Sequence, residues 1–545
     1  MASEPLVAGV SSPARSYRRF LVGFGVALLV LVIVIVVALV TLTGASLGRD
    51  STALAKVSVD ALGGKIEHVE AFGPSGRPVP ISVQGDRLVP QHRLHPGERI
   101  SVAVRVRRPG WIGWAVGHEQ TEHLTVIAPV AHLTGRWMTV QPGHAVTVKF
   151  SEPVSAVAYP TSAGMHTRTL STPSSTVSLG RRPITGTVAI AAAPRSWETV
   201  GRATHVSWFP ASSSPVLAAS PAPGGKIAPA SPIYLTFSKP VSEVLGSRRP
   251  ALSPATAGHW HVTDSHTLEF RPSGFGLPLG TTLHARLPRT VAVTGANAAT
   301  LTKTTQVSWT VPPGSTERLH QLLAQAGYLP VVWHAASGHT VAHTPSAEAA
   351  AATEPPPGSF TWRYANTPHQ LKEKWSPTQP TVLTKGAVMK FENENGMPVD
   401  GEAGPAVWRK MMADAIAGKR LKEPYSYVYV HREVPETATL WSAGHTVISA
   451  PANTGISGAE TELGSFPVFE HLPETTMSGT NPDGSHYEDP GIKWVSYFNG
   501  GDALHNFNRS SFGSPQSLGC VELPLAASAE IYKYTPIGTV VTVET

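Results

Sequence analysis

Residues 497–524 have the sequence YFNGGDALHNFNRSSFGSPQSLGCVELP and contain Cys520, the only cysteine of the 545-residue chain. A single cysteine cannot form an intramolecular disulfide, so it must serve either packing or chemistry. His505 lies 15 positions earlier (520 − 505), before a polar loop that can fold back on itself. An adjacent imidazole can accept the thiol proton and leave a thiolate, the nucleophilic form of cysteine. The stretch therefore predicts a cysteine–histidine site.

The segments around this stretch alternate apolar and polar residues with a period of two. Examples are YSYVYVHREV (425–434), GSFPVFEHL (464–472) and GTVVTVET (538–545). This alternation predicts β-strands with one buried face. We therefore expect a β-rich domain over 425–545 that presents the loop carrying Cys520.

Residues 425–545 resemble the catalytic domain of L,D-transpeptidases of the YkuD type. In that family a histidine is followed, after a loop, by the motif S-H-G-C-x-x-L, which 505–523 matches in part. APANTGISGAETELGSFPVFEH (450–471) is similar to a second family motif, and TTMSGTNPDGSHYEDPGIKWVSYF (475–498) is similar to the family's flap and following strand. The resemblance implies a β-rich catalytic domain that needs no metal and no organic cofactor.

The resemblance also implies roles for four residues around the thiol. Cys520 would be the nucleophile and His505 the general base, and the backbone carbonyl of Asn506 would orient the imidazole. Backbone N–H groups at Gly519 and Cys520 could stabilise a developing oxyanion. Simple packing is the alternative for a lone cysteine, because cysteine is among the most buried residue types.

Four further residues are predicted to contact substrate. Ser517 matches the family motif, and Met477 lies in the segment that resembles the flap, where packing on a core is the alternative. Leu518 replaces the histidine that usually precedes Gly-Cys, which puts the tuning of the thiol in doubt. Glu522 stands where arginine or asparagine is common, which could change the stem peptide accepted.

The family's chemistry is peptidoglycan cross-linking. A donor tetrapeptide stem would acylate Cys520, and an acceptor amine from a neighbouring stem would then take the acyl group to form a 3→3 cross-link. Two alternatives stay open. Water could resolve the same acyl-enzyme, which would make the protein an L,D-carboxypeptidase, or the chain could be a non-catalytic cell-wall-binding scaffold in which Leu518 and Glu522 mark a decayed site.

The N-terminal region contains a long apolar run, LVGFGVALLVLVIVIVVALVTL (21–42), preceded by Arg15, Arg18 and Arg19. A transmembrane helix needs about 20 apolar residues, whereas the apolar core of a cleaved signal peptide, the alternative, is usually about 7 to 15. Together with the positive-inside rule, the run predicts a cytoplasmic tail (1–19) and a membrane anchor (20–43). The catalytic domain would then lie on the cell-wall side of a bacterial membrane.

Between the anchor and the catalytic domain, the sequence predicts a mainly β multidomain chain. The frame F-S-x-P-V-S-x-V occurs at 150–157 and again at 237–244, and the second copy lies in a segment that resembles bacterial Ig-like domains. We expect Ig-like β domains at 52–130, 131–215 and 216–312, acting as spacers, with carbohydrate adhesion as the alternative. No Lys/Arg block with interleaved aromatics predicts nucleic-acid binding.

A helical pattern separates these β segments from the catalytic domain. STERLHQLLAQAGYLP (315–330) and GAVMKFENENGMPVDGEAGPAVWRKMMADAIAGK (386–419) have helix caps, one apolar face and glycine stops. They resemble the helical peptidoglycan-binding domain of wall hydrolases, which predicts such a domain over 315–420. A low-complexity insertion near 337–359 is expected to be a mobile loop. A helical linker without a ligand is the alternative.

Overall fold

The computed structural model describes residues 14–161, 164–294 and 300–545. Strands outnumber helices in both of its two units, Met1–Ala211 and Ser212–Thr545. The prediction of a mainly β multidomain chain is therefore confirmed. The domain boundaries inferred from the sequence remain predictions.

The N-terminal helix requires a correction. Helix α1 covers Ala14–Leu42, and the first 13 residues of the predicted cytoplasmic tail lie outside the described residues. A membrane-spanning helix must present about 20 consecutive apolar residues to the hydrocarbon core. No helix in the described parts of the chain combines the required length and apolar character. The predicted membrane anchor over 20–43, the membrane as a partner and the location inferred from them are therefore wrong.

In the first unit, alternating β-branched residues build three sheets. Strand β6, for example, buries Ile100, Val102, Val104 and Val106 on one face. The sheets have the strand orders β1-β2-β5-β4, β3-β6-β7 and β10-β9-β11-β12-β8. The strands are β1 (Ala45–Gly48), β2 (Ala55–Val59), β3 (Lys65–Phe72), β4 (Ile81–Gln84), β5 (Arg87–Pro90), β6 (Arg99–Arg107), β7 (Glu119–Ile127), β8 (Trp137–Thr139), β9 (Ala145–Thr161), β10 (Gly164–Arg181), β11 (Gly186–Ala193) and β12 (Thr204–Phe209), with a 3₁₀ turn at Pro74–Gly76 and helix α2 at Gly113–Val116.

The second unit begins with a pair of sheets that enclose one core around the fully buried Trp309. Their strand orders are β16-β17-β14-β13-β19-β20 and β15-β18-β21. The elements are β13 (Val216–Ser220), β14 (Ile233–Phe237), α3 (Val241–Val244), β15 (Leu252–Ser253), β16 (Gly258–Asp264), β17 (Thr267–Pro272), β18 (Thr282–Arg286), β19 (Ala292–Thr294), β20 (Leu301–Lys303) and β21 (Gln306–Thr310).

A mixed helical segment follows. Its elements are α4 (Thr316–Ala326), β22 (Val331–Ala335), α5 (Pro345–Thr353), β23 (Gly358–Trp362), α6 (His369–Lys372), α7 (Val382–Glu394) and α8 (Pro405–Ile416). The low-complexity insertion, expected to be a mobile loop, instead forms α5 and contributes to the β22–β23 pair. The alanine run favours helix, Thr344 caps α5 through the Ala347 N–H, and the buried Glu348 carboxylate pairs with Arg318 on α4 at 2.6 Å.

The C-terminal part contains two sheets, with strand orders β26-β25-β24-β32-β27 and β28-β29-β30-β31. The elements are β24 (Ser426–His431), β25 (Thr437–Ser442), β26 (His445–Pro451), β27 (Gly464–Pro467), β28 (Glu470–Thr480), β29 (His486–Asn499), β30 (Asp502–Asn506), β31 (Val521–Leu523), α9 (Leu525–Tyr532) and β32 (Val540–Glu544). This arrangement confirms the expected β-rich C-terminal domain.

One apolar core joins the helical segment to the first of these sheets. Leu322 and Phe391 from the helices share it with Tyr427, Trp441 and Val540 from the sheet. Glycine permits the close approach, because a Cβ atom on Gly386 would collide with the carbonyl oxygen of Gly538. The helical segment therefore supports one face of the β26-β25-β24-β32-β27 sheet.

Candidate active site

Strand pairing places Cys520 on the face of the sheet that carries His505. Strand β30 pairs in parallel with β31, with Leu504 opposite Val521 and His505 opposite Glu522. Side chains two positions apart share a face of a sheet, so Cys520, which precedes β31, comes to the face that carries His505. The intervening loop 507–520 is the crossover that makes this parallel pairing possible.

The His505 imidazole is held in one orientation. Only 3% of the residue is exposed, and Nδ1 lies 2.9 Å from the carbonyl oxygen of Asn506. A carbonyl can only accept, so Nδ1 carries the proton and Nε2 is left as the basic nitrogen. Burial lowers the pKa of His505, partly opposed by the hydrogen bond to Asn506. The ring is therefore neutral at physiological pH and able to accept a proton.

The Cys520 thiol is partly exposed but has a dense protein surrounding. Its Sγ donates to the carbonyl oxygen of Gly501 at 3.5 Å, and the described residues show no hydrogen bond between this thiol and the imidazole. Burial raises the pKa of the thiol to about 12, and the carboxylates of Asp502 and Glu522 act in the same direction against a backbone hydrogen bond at Ala503. These surroundings favour the protonated thiol over the thiolate in the resting site.

The turn before the thiol depends on Gly519 and Ser517. Gly519 has φ +112°, and a Cβ atom there would collide with the Asp502 carboxylate. The Ser517 hydroxyl is buried and donates to the carbonyl oxygen of Cys520 at 2.5 Å. Ser517 was predicted to contact substrate, but this placement favours a role in holding the turn.

A buried polar scaffold supports the turn from the other side. The Thr454 hydroxyl and backbone N–H donate to the Glu436 carboxylate at 2.6 and 2.7 Å. The Thr454 carbonyl in turn accepts from the N–H groups of Gln516 and Ser517, and the Asn453 side chain accepts from the Gly513 N–H at 3.0 Å. The N-T-G stretch at 453–455 belongs to the segment that resembles a family motif, but local sequence alone predicts no role for it.

The flap is the long hairpin of β28 and β29, whose register shifts between Thr475 and Met477. Met477 and Cys520 pack against the same small cluster, which includes Ile492, Val495 and Ala503. The structure therefore gives Met477 the packing role that was the alternative, on the same cluster that Cys520 contacts. Among the described residues, no group of His, Cys, Asp and Glu side chains could hold a metal ion.

Comparison with known proteins assigns this domain. The family model of the YkuD L,D-transpeptidase catalytic domain matches residues 425–543. Residues 425–543 are a YkuD-type L,D-transpeptidase catalytic domain. No curated protein matched the chain.

Solved structures similar to the chain are also L,D-transpeptidases. One from Mycobacterium smegmatis is 13% identical, with 61% of this chain and 100% of that chain covered and a TM-score of 0.21. One from Mycobacterium tuberculosis is 12% identical, with coverage of 61% and 98% and a TM-score of 0.20. The catalytic domain of an E. faecium L,D-transpeptidase, acylated by ertapenem, is 23% identical, with coverage of 23% and 99% and a TM-score of 0.20.

Two positions of the YkuD domain depart from the family motif. Leu518 is half-buried in the turn before the thiol, so no second imidazole stands there. Glu522 is 4% exposed and its carboxylate receives two hydrogen bonds from Arg509, at 2.8 and 2.6 Å. A buried and paired carboxylate is badly placed for the substrate contact predicted for it. Arg509 itself was missed, because no local pattern marks it.

Proposed function

We propose that the protein is a peptidoglycan L,D-transpeptidase that forms 3→3 cross-links through a Cys520 thioester. The observation that carries this proposal is the pair formed by the two neighbouring strands. Cys520 and His505 share one face of the sheet, and the Asn506 carbonyl fixes the imidazole with Nε2 free to accept a proton. A nucleophile, a base and a group that orients the base are the requirements for activated-thiol chemistry.

In the first half-reaction, Nε2 of His505 takes the thiol proton and the thiolate attacks the donor carbonyl that precedes the terminal D-Ala. The negative oxygen formed there would be stabilised by backbone N–H groups at Gly519 and Cys520, a contribution of about 3 kcal/mol per donor. The imidazolium then returns its proton to the departing D-Ala nitrogen. The products are free D-Ala and a thioester on Cys520.

In the second half-reaction, the neutral side-chain amine of an acceptor stem attacks the thioester. His505 accepts the amine proton and passes it to the departing sulfur, so the thiol is regenerated and an amide bond joins the two stems. The raised pKa of the resting thiol is consistent with a proton transfer to His505 that accompanies attack on bound substrate. We further propose that the segments 52–130, 131–215 and 216–312 act as spacers and that 315–420 contributes wall binding.

The test is intact mass spectrometry of the full chain incubated with ertapenem, compared with Cys520→Ala and His505→Ala. We expect one adduct on the wild type, none on Cys520→Ala and slow formation on His505→Ala. His486→Ala on the exposed flap is the matched control and should react like the wild type. A folded wild type without an adduct would overturn the proposal and favour the non-catalytic scaffold.

A second assay follows acylation. With disaccharide-tetrapeptide as donor and acceptor, a cross-linked dimer is the expected product. Formation of disaccharide-tripeptide alone would show that water resolves the acyl-enzyme, which would make the protein an L,D-carboxypeptidase.

A further inference from the structure

The Arg509–Glu522 ion pair joins the crossover loop that leads to Cys520 to strand β31, which lies beside the strand of His505. Glu522 is buried on β31, directly opposite His505 in the strand register. Arg509 comes from the crossover loop, and its guanidinium contacts both carboxylate oxygens in the two-pronged geometry that makes such pairs strong and directional. In this chain a carboxylate stands at 522, where the family motif commonly has arginine or asparagine.

Arg509 makes two more contacts that tie the pair to the site. It donates to the carbonyl oxygen of Gln516 at 3.0 Å, in the turn that leads to Cys520. Its guanidinium also lies 4.6 Å from the centre of the Phe507 ring. The Phe507 and His505 rings pack in a T-shaped arrangement with a centroid distance of 6.2 Å. The Arg509 guanidinium therefore contacts Gln516 in the turn before Cys520, Phe507 beside His505, and Glu522 on the neighbouring strand.

We propose that Arg509 and Glu522 are positioning residues of this site, which fasten the crossover loop and oppose each other's charge beside His505. The inference rests on the proposed function, since it assigns these residues a part in the same reaction. It also accounts for the departure at 522, because the Arg509 guanidinium stabilises a carboxylate that is buried there.

The charge balance can be stated group by group. Around His505, the Glu522 and Asp489 carboxylates raise the imidazole pKa and Arg509 lowers it, while burial lowers it most. Around Cys520, burial acts first and the Asp502 and Glu522 carboxylates add to it. Removal of Arg509 alone leaves Glu522 uncompensated, whereas removal of the Glu522 charge alone leaves a guanidinium near the base.

Because the two residues carry opposite charges, their removal should shift the apparent pKa of the site in opposite directions, which can be measured. Rates of Cys520 alkylation by iodoacetamide, and of acylation by ertapenem, are measured against pH for full-length wild type, Arg509→Met, Glu522→Gln and the double variant. We expect the apparent pKa to rise by about one unit in Arg509→Met and to fall by a similar amount in Glu522→Gln. The double variant should return towards the wild-type value. Lys533→Met, which breaks the exposed Lys533–Glu530 pair on α9, is the control and should leave both profiles unchanged.

The outcomes separate this inference from the proposed function. The positioning role would be overturned if the pH profiles do not move, or if they move in the same direction in both single variants. A general loss of structure would not shift the apparent pKa in opposite directions in the two variants. Alkylation profiles that shift as expected without any ertapenem adduct would uphold the positioning role and reject the transpeptidase. If Arg509→Met does not fold, the shift of Glu522→Gln, which keeps the shape of the side chain, decides the matter.

Discussion

The Ser517 hydroxyl donates a hydrogen bond of 2.5 Å to the carbonyl oxygen of Cys520, three residues later in the chain. The Thr461 hydroxyl approaches the same oxygen at 3.5 Å and also accepts from the Gly455 N–H at 2.9 Å. The conformation of the turn that carries Cys520 is therefore fixed by a hydrogen bond within the turn and by a contact from a loop distant in sequence.

Ser517→Ala should loosen this turn. Loss of one buried hydrogen bond costs about 1 kcal/mol, so the protein should fold while the rate of ertapenem acylation at Cys520 falls about tenfold. Ser528→Ala, which removes a comparable buried serine bonded to Leu525 on α9, is the control. Equal acylation rates in the two variants would show that the Ser517 bond does not position the thiol.

Gly519→Ala should be more damaging than a glycine substitution elsewhere in the domain. The new Cβ would meet the Asp502 carboxylate, and the residue would also keep an unfavourable positive φ. We expect Cys520 acylation to fall by about a hundredfold or more, as for the loss of an oxyanion donor. Gly500→Ala also has a positive φ but has open space around its Cβ, so it measures backbone strain alone and should retain most activity.

The buried Arg318–Glu348 pair should hold helix α5 in place. Arg318→Met leaves a buried carboxylate without its partner, which typically costs about 3 to 5 kcal/mol. Hydrogen exchange of Pro345–Thr353, followed by mass spectrometry, should become faster in this variant. The double variant Arg318→Met/Glu348→Met should be protected better than the single one, and Lys239→Ala, in an exposed pair, should behave like wild type. Unchanged exchange in Arg318→Met would contradict the anchoring role.

Glu198 should make the first unit less stable as the pH rises. Its carboxyl is buried, one oxygen accepts from the Arg195 N–H at 2.9 Å and the other has no hydrogen-bond partner among the described residues. Burial raises its pKa from an ordinary value of 4.5 to about 7. The native state therefore keeps a proton that the unfolded state has released, so stability is highest below about pH 4.5 and declines until about pH 7.

The check is calorimetric unfolding of wild type and Glu198→Gln between pH 4 and pH 8. The variant is neutral at every pH, so its advantage over wild type should grow from near zero at about pH 4.5 to about 2 to 3 kcal/mol above pH 7. Glu119→Gln, at a half-exposed position, should show no such trend. A parallel pH dependence in wild type and Glu198→Gln would rule out Glu198 as its source.

Local sequence predicted those site residues that are recognisable by their reactive side chains. A lone cysteine after a turn and a histidine at the end of a strand pattern marked Cys520 and His505 as candidate site residues, and period-two alternation predicted the β-rich domain. The low-complexity insertion, predicted to be a mobile loop, forms a helix that Thr344 caps and that the Arg318–Glu348 pair anchors across 30 residues of chain (348 − 318). The membrane anchor was also predicted wrongly, since no helix in the part of the chain that the structure describes meets the requirements of length and apolar character for a membrane span.

The sequence alone therefore determined which groups could react, because a thiol and an imidazole are the same functional groups in any surroundings. Only the tertiary structure decided what surrounds them. Glu436, Asn453 and Arg509 support the site through pairings set by strand register and loop closure, and no local pattern encodes such pairings. The burial of Glu522 is of the same kind, since a carboxylate that sequence assigns to substrate becomes part of an internal ion pair once β30 and β31 lie side by side.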